Sequence, residues 1–162
     1  MLERVSAPID LSIYGPLRES DYWSQCQKLI SQLPENIQVD YCGEVTPVDV
    51  PKTFAAADLF VFPTRGENYG HVVLESLAAG TAVLISDRTP WHASADNAVE
   101  VLQLEDRDAW VNAIERWAGF DREQFGKMRT AALGYAQSYF ETSSALEDNR
   151  TLFYQVCDGA RP

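Results

Sequence analysis

The chain has 162 residues, the length of one ordinary domain rather than two. Hydrophobic residues make up 46% and aromatics 11%, enough to fill a core and to exclude disorder as the main state. There are 13 Lys and Arg against 24 Asp and Glu, a net charge of −11; with no basic cluster, a general nucleic-acid or anionic-membrane surface is not expected.

Short β-prone runs alternate with segments of helical period, the pattern of βαβ units feeding a parallel sheet. Ile9–Tyr14 reads as the first strand and ends at the turn pair Gly15-Pro16. Tyr22–Leu33 follows as a helix with Trp23, Cys26, Leu29, Ile30 and Leu33 on one face, stopped by Pro34. Ile37–Tyr41 is the second strand, closed by Gly43, and Val48–Ala57 is a short helix that tolerates Pro51 in its first turn. Leu59–Phe62 is an apolar β-prone run stopped by Pro63. After a loop over Thr64–Tyr69 comes a helix, Gly70–Ala79, with Gly80 at its C-terminal cap, and then strands at Ala82–Ile85 and Val99–Leu104. From Arg107 to Val156 the pattern is helical, broken near Gly119–Asp121 and Glu141–Ser143. Trp110, Ile114 and Trp117 form its apolar stripe, while Phe140, Leu146, Phe153 and Tyr154 read as packing residues. The expectation is one Rossmann-like α/β domain over residues 1–157, its parallel sheet flanked by helices and its C-terminal region helical, with a frayed tail at 158–162.

Cys26, Cys42 and Cys157 fit neither a zinc knuckle nor a CxxC redox pair, and they read as reduced thiols of a cytoplasmic protein. The apolar runs Phe54–Ala57 and Leu59–Pro63 fall far short of the roughly 20 residues that span a bilayer. Met1–Pro8 carries two opposite charges and no apolar stretch, so no secretory signal is expected.

The most informative window runs from Asp58 to Asp87. A strand ends at Pro63, a loop containing Gly66 and Gly70 follows, and a helix begins with free N–H groups near Gly70, His71 and Val72. Unpaired donors and the positive end of a helix dipole favour an anion there, phosphate above all. Ligands of open α/β sheets bind at the same carboxyl edge of the strands. Glu67 in the loop and Glu75 in the helix frame the site. Phosphate repels a carboxylate, so these two acids suit neutral hydroxyls instead, accepting hydrogen bonds from sugar rings on either side. The ligand so described is a nucleotide sugar. The bland alternative is two solvated acids in an acid-rich chain, and the flanking sequence weighs against it.

The window resembles the sugar-nucleotide site of the retaining group 1 (family 4) glycosyltransferases of GT-B architecture, marked by two glutamates separated by seven residues, here Glu67 and Glu75 in E-N-Y-G-H-V-V-L-E. Ile13-Tyr14-Gly15-Pro16, Val39–Val45, Ala57–Pro63 and Ala78–Val83 resemble the flanking segments of that family, in order and at matching spacing, with Ala82 where proline is usual. The resemblance implies the C-terminal, donor-binding half of such an enzyme. It implies that Glu75 binds ribose hydroxyls and that Glu67 is the catalytic residue, contacting the donor sugar and orienting it for transfer. The amides of Tyr69, Gly70, His71 and Val72 would hold the diphosphate, with Asn68 and Arg65 beside it. Gly15 and the loop carrying Glu44 and Val45 would line the donor and its base. No metal or other cofactor is implied, in keeping with the lack of a D-x-D motif.

The resemblance also implies a separate N-terminal acceptor-binding domain or chain, with any inner-membrane contact made through it, and an opening strand with a G-R-x motif that has no equivalent before Ile9. In the usual strand order that strand would be central, so that either the sheet closes without it or another segment fills the gap. The rival reading is a catalytically incomplete donor-binding or interaction module that works with a second polypeptide. A dehydrogenase is disfavoured, since no G-x-G-x-x-G follows any strand, and a P-loop is equally absent. His92, beside Trp91, reads as structural or at the rim of the cleft, and Asp87 and Arg88 as ordinary loop charges.

Overall fold

A computed structural model describes residues 1–142. The expected helix beyond Thr142, the tail at 158–162, Cys157 and the packing roles of Leu146, Phe153 and Tyr154 lie outside the described residues. A single 3-10 turn, Leu2–Arg4, precedes β1 (Ile9–Tyr14), α1 (Ser20–Ile30), β2 (Ile37–Gly43), α2 (Val50–Ala55) and β3 (Phe60–Phe62). Then come α3 (His71–Ala78), β4 (Val83–Ser86), β5 (Val99–Leu102), α4 (Arg107–Ala118) and α5 (Arg122–Thr142). The architecture is α/β and every strand pairing is parallel. No helix among the described residues is long and apolar enough to cross a membrane.

The strands fall into two groups, β2-β1 and β3-β4-β5. β1 and β3 share no ladder, and among the described residues no segment pairs with both. The two groups are joined through side chains instead. Ile9, Ile37 and Val39 from the first meet Leu59, Val61 and Leu84 from the second under Trp110, Val111, Ala113 and Ile114 of α4. The opposite face of β3–β5 presents Phe60, Phe62, Val83, Ile85, Val99 and Val101 to Val73 and Leu77 of α3 and to Ala132 and Ala136 of α5. Because side chains alternate across a strand, β4 sends Val83 and Ile85 to one core and Leu84 to the other. All three are completely buried, and each contributes about 1.5–3 kcal/mol through burial.

Local chemistry sets the element ends. Gly80 takes a left-handed φ of 81° just past α3, its N–H donates to the Leu77 carbonyl and that of Thr81 to Ser76, a Schellman closure of the helix. The Asp106 carboxylate accepts from the Ala109 N–H at 3.0 Å and caps α4. On α1 the stripe Trp23, Cys26, Ile30 is half-buried, whereas Leu29 is 66% exposed because it lies on the flank of that stripe. β5 stops at Leu102 rather than Leu104, since the Gln103 carbonyl accepts from the Trp110 indole and the Leu104 N–H donates to Asp87.

The N-terminal segment is tied to α4 by Ser6, whose N–H and hydroxyl both donate to the Glu115 carboxylate. Those bonds hold the Glu115 carboxyl below its ordinary range. A depressed folded-state pKa means that the contribution to stability is complete above the ordinary carboxylate range and disappears as pH falls through the lowered value. Glu115→Gln is therefore expected to lower the urea midpoint at neutral pH, with the difference closing on acidification. An equal difference at both ends of that range would contradict the assignment.

Candidate functional site

The predicted site residues lie in the segments that follow β1, β2 and β3. After β1 comes Gly15, half-buried at φ 136°, whose N–H donates to the Gly43 carbonyl at 2.9 Å. The Tyr41 hydroxyl donates to the Gly15 carbonyl at 2.6 Å. Gly43 ends β2 at φ 77°, opposite a register shift between Ile13 and Tyr14. Glu44 beyond it is exposed and Val45 half-buried. The Tyr14 phenol, also at this end, is pushed above its ordinary pKa by its contact with the Cys42 thiol.

The loop after β3 is the most tightly organised. The buried Ser86 hydroxyl donates to the Thr64 carbonyl at 2.6 Å, and the Thr64 hydroxyl in turn reaches the Gly66 carbonyl at 3.0 Å. The Glu67 N–H donates to the Arg88 carbonyl at 3.1 Å. Arg88 is itself clamped by both carboxylate oxygens of Glu105 at 3.1 Å. Arg65 and Asn68 are exposed and Glu67 half-buried. The Glu67 carboxylate turns back on its own loop, accepting from the N–H groups of Asn68 at 2.9 Å and Tyr69 at 3.2 Å.

Gly70 makes the turn into α3. Its φ and ψ of 77° and 51° are left-handed, a region that costs any other L-residue about 1–2 kcal/mol. A Cβ there would also lie 2.8 Å from the Trp91 indole nitrogen and 3.3 Å from the Glu67 side chain. Past this turn the helix has no side-chain cap, and among the described residues the N–H groups of Gly70, His71 and Val72 donate to no protein acceptor. His71 and Glu75 stand one helical turn apart on the exposed face of α3, opposite the buried Val73, Ser76 and Leu77. The structure thus brings Glu67 and Tyr69–Val72 together around one helix start with Glu75 a turn beyond, while Gly15 and Glu44–Val45 stand at the ends of the other strand pair. The two shallow depressions along α5, beside Gly126 and Leu133, include none of these residues.

Trp91, Tyr139 and Ser86 support the site without having been predicted to. The Trp91 indole donates to the Tyr69 carbonyl at 2.7 Å and stacks on Tyr139, 5.1 Å between centroids. The Tyr69 and Tyr139 hydroxyls share a hydrogen bond of 3.1 Å, which pushes Tyr139 above the ordinary tyrosine value. A bulky aromatic directly behind Thr89-Pro90 was the available signal.

Residues 2–127 match the family model of glycosyl transferases group 1. The chain belongs to that family. It is 32% identical over 111 residues to an uncharacterized glycosyltransferase of Methanocaldococcus jannaschii, covering 68% of this chain and 25% of that protein. It is 25% identical over 96 residues to the O-antigen chain mannosyltransferase RfbU of Salmonella typhimurium, covering 59% of this chain and 27% of that one. Among solved structures it resembles the sucrose-phosphate synthase of Thermosynechococcus elongatus, with a TM-score of 0.75, 19% identity, and coverage of 94% of this chain and 39% of the other. It resembles equally the Anabaena protein HepE in complex with UDP, with a TM-score of 0.75, 19% identity, and coverage of 97% and 43%. The fold is the Rossmann-like α/β fold of GT-B glycosyltransferases. This group 1 chain spans between a quarter and just over two fifths of the length of these relatives.

Gly70→Ala is expected to destabilise the chain by about 1–2 kcal/mol from backbone strain alone, with a further loss from the contact against Trp91. Urea denaturation reads this directly, and an unchanged midpoint would contradict the left-handed turn.

Proposed function

We propose that the chain is the donor-binding part of a retaining glycosyltransferase that moves a hexosyl group from a nucleoside-diphosphate sugar to an acceptor. The observation that carries the reading is the set of unpaired amides at Gly70, His71 and Val72, with Glu67 on one side and Glu75 on the other. The diphosphate lies over the start of α3, where three N–H groups and the helix dipole meet its charge. Glu75 accepts hydrogen bonds from the ribose hydroxyls. Glu67 contacts and orients the transferred sugar, and Arg65 and Asn68 approach the phosphates from the loop. Gly15, Glu44 and Val45 meet the base at the ends of β1 and β2. HepE, which shares the fold, was crystallised with UDP and with UDP-glucose, and this supports a nucleotide-sugar donor.

The bonds Glu67 makes bear on how a ligand would enter the site. Its carboxylate occupies the Asn68 and Tyr69 amides at 2.9 and 3.2 Å, so an internal anion stands where the phosphate would bind. When Glu67 turns to the sugar hydroxyls, the Tyr69 N–H becomes a fourth donor to the diphosphate. As the glycosidic C–O bond breaks, negative charge grows on the leaving phosphate oxygens. Donors already fixed toward them lower the barrier, each worth about 10²–10³ in rate when measured by removal at comparable sites.

A ligand at 100 times its dissociation constant stabilises the folded chain by about 2.7 kcal/mol, so thermal shifts with UDP, GDP and ADP should identify the base. Glu75→Ala is expected to weaken the preferred diphosphate about tenfold, through lost charged hydrogen bonds to ribose. An unchanged affinity would remove that assignment. Glu67→Ala is expected to lower transfer far more than diphosphate binding once the acceptor-binding part is supplied. Turnover equal to that of the unmodified chain would remove its role.

A further inference from the structure

We propose that Trp91 is a positioning residue for the diphosphate site, acting through the peptide that joins Tyr69 to Gly70; this rests on the phosphate reading above. In a trans peptide the carbonyl and the following N–H point in opposite directions. The Trp91 indole N–H draws the Tyr69 carbonyl toward itself at 2.7 Å, so the Gly70 N–H must point away from the indole, and it meets no protein acceptor among the described residues. The Val72 N–H likewise meets no protein acceptor among the described residues. Trp91 is itself immobilised. It is 7% exposed, stacks on Tyr139 at 28°, and lies on a segment anchored by Thr89 and Arg88.

The glycine completes the device. Any side chain at position 70 would enter the space of the indole nitrogen, so the donor and the left-handed turn fit only one another. The role of Trp91 is to hold a peptide in the orientation that anion binding requires, before the anion arrives.

Calorimetric titration of the whole chain with UDP, GDP and ADP first selects the diphosphate bound best. Trp91→Phe keeps a ring against Tyr139 and removes the donor. It is expected to weaken that diphosphate about tenfold while leaving the matching nucleoside within about twofold. Unchanged diphosphate affinity overturns the inference and leaves the proposed function standing. A parallel loss for nucleoside and diphosphate overturns it in favour of packing alone. An unmodified chain that binds none of the three removes the phosphate reading and this inference together. Nuclear magnetic resonance of the unmodified chain needs no variant to fold: the Gly70 amide proton is expected to move strongly downfield as the diphosphate is added, and a stationary Gly70 signal overturns the proposal.

Discussion

The left-handed turn at Gly70 is the constraint on which the geometry of the site depends. It bends the loop after β3 into α3 with no capping side chain, so the first amides of the helix are left without internal partners. A soluble helix ordinarily satisfies such groups with a Ser, Thr, Asp or Asn at the N-cap. Glycine at this position gives up that stabilisation and keeps the donors available. The strain is absorbed because glycine alone occupies the left-handed region without penalty and because Trp91 and Glu67 fill the space a side chain would need.

Rigidity reaches this turn from the second connection of the β3–β5 group. Ser86, Arg88 and Trp91 each fix a different backbone group of the acidic loop, at Thr64, Glu67 and Tyr69. The segment after β4 therefore serves as a template for the segment after β3. β4, in turn, is held from both faces by Val83, Leu84 and Ile85. Packing in the two cores is thus translated into the direction of a few amides. The β1–β2 pair joins the rest through side chains under α4 rather than through a ladder, so Gly15, Glu44 and Val45 are positioned relative to the β3–β5 group by side-chain contacts rather than by strand pairing.

Much of the fold was legible in the sequence because the signals are local. Alternation placed β1 at Ile9–Tyr14 without error, and the stripe of Trp110, Ile114 and Trp117 marked the buried face of α4. Ends were harder to place, since tertiary partners decide them. Leu104 leaves β5 because Asp87 takes its N–H, and the last turn of α1 tightens into 3-10 bonds at Gln32 and Leu33. That Glu67 lies in the loop after β3 and Glu75 in the helix that follows Gly70 was legible from spacing and from the resemblance to group 1 enzymes. The support from Trp91 was not, because a hydrogen bond from one loop to the carbonyl of another leaves no periodic trace. Nor was the inward turn of the Glu67 carboxylate, which depends on loop geometry rather than residue type.

Electrostatics adds a consequence for the whole chain. With a net charge of −11, the surface as a whole repels a diphosphate, so binding as proposed would come from short-range donors at one place rather than from long-range attraction. The most direct test of the central claim is a crystal structure of the chain with its preferred nucleoside diphosphate. The account predicts phosphate oxygens within hydrogen-bonding distance of the Gly70, His71 and Val72 nitrogens, with the ribose against Glu75. Phosphate density at any other place on the molecule, with those three amides facing only solvent, would contradict it.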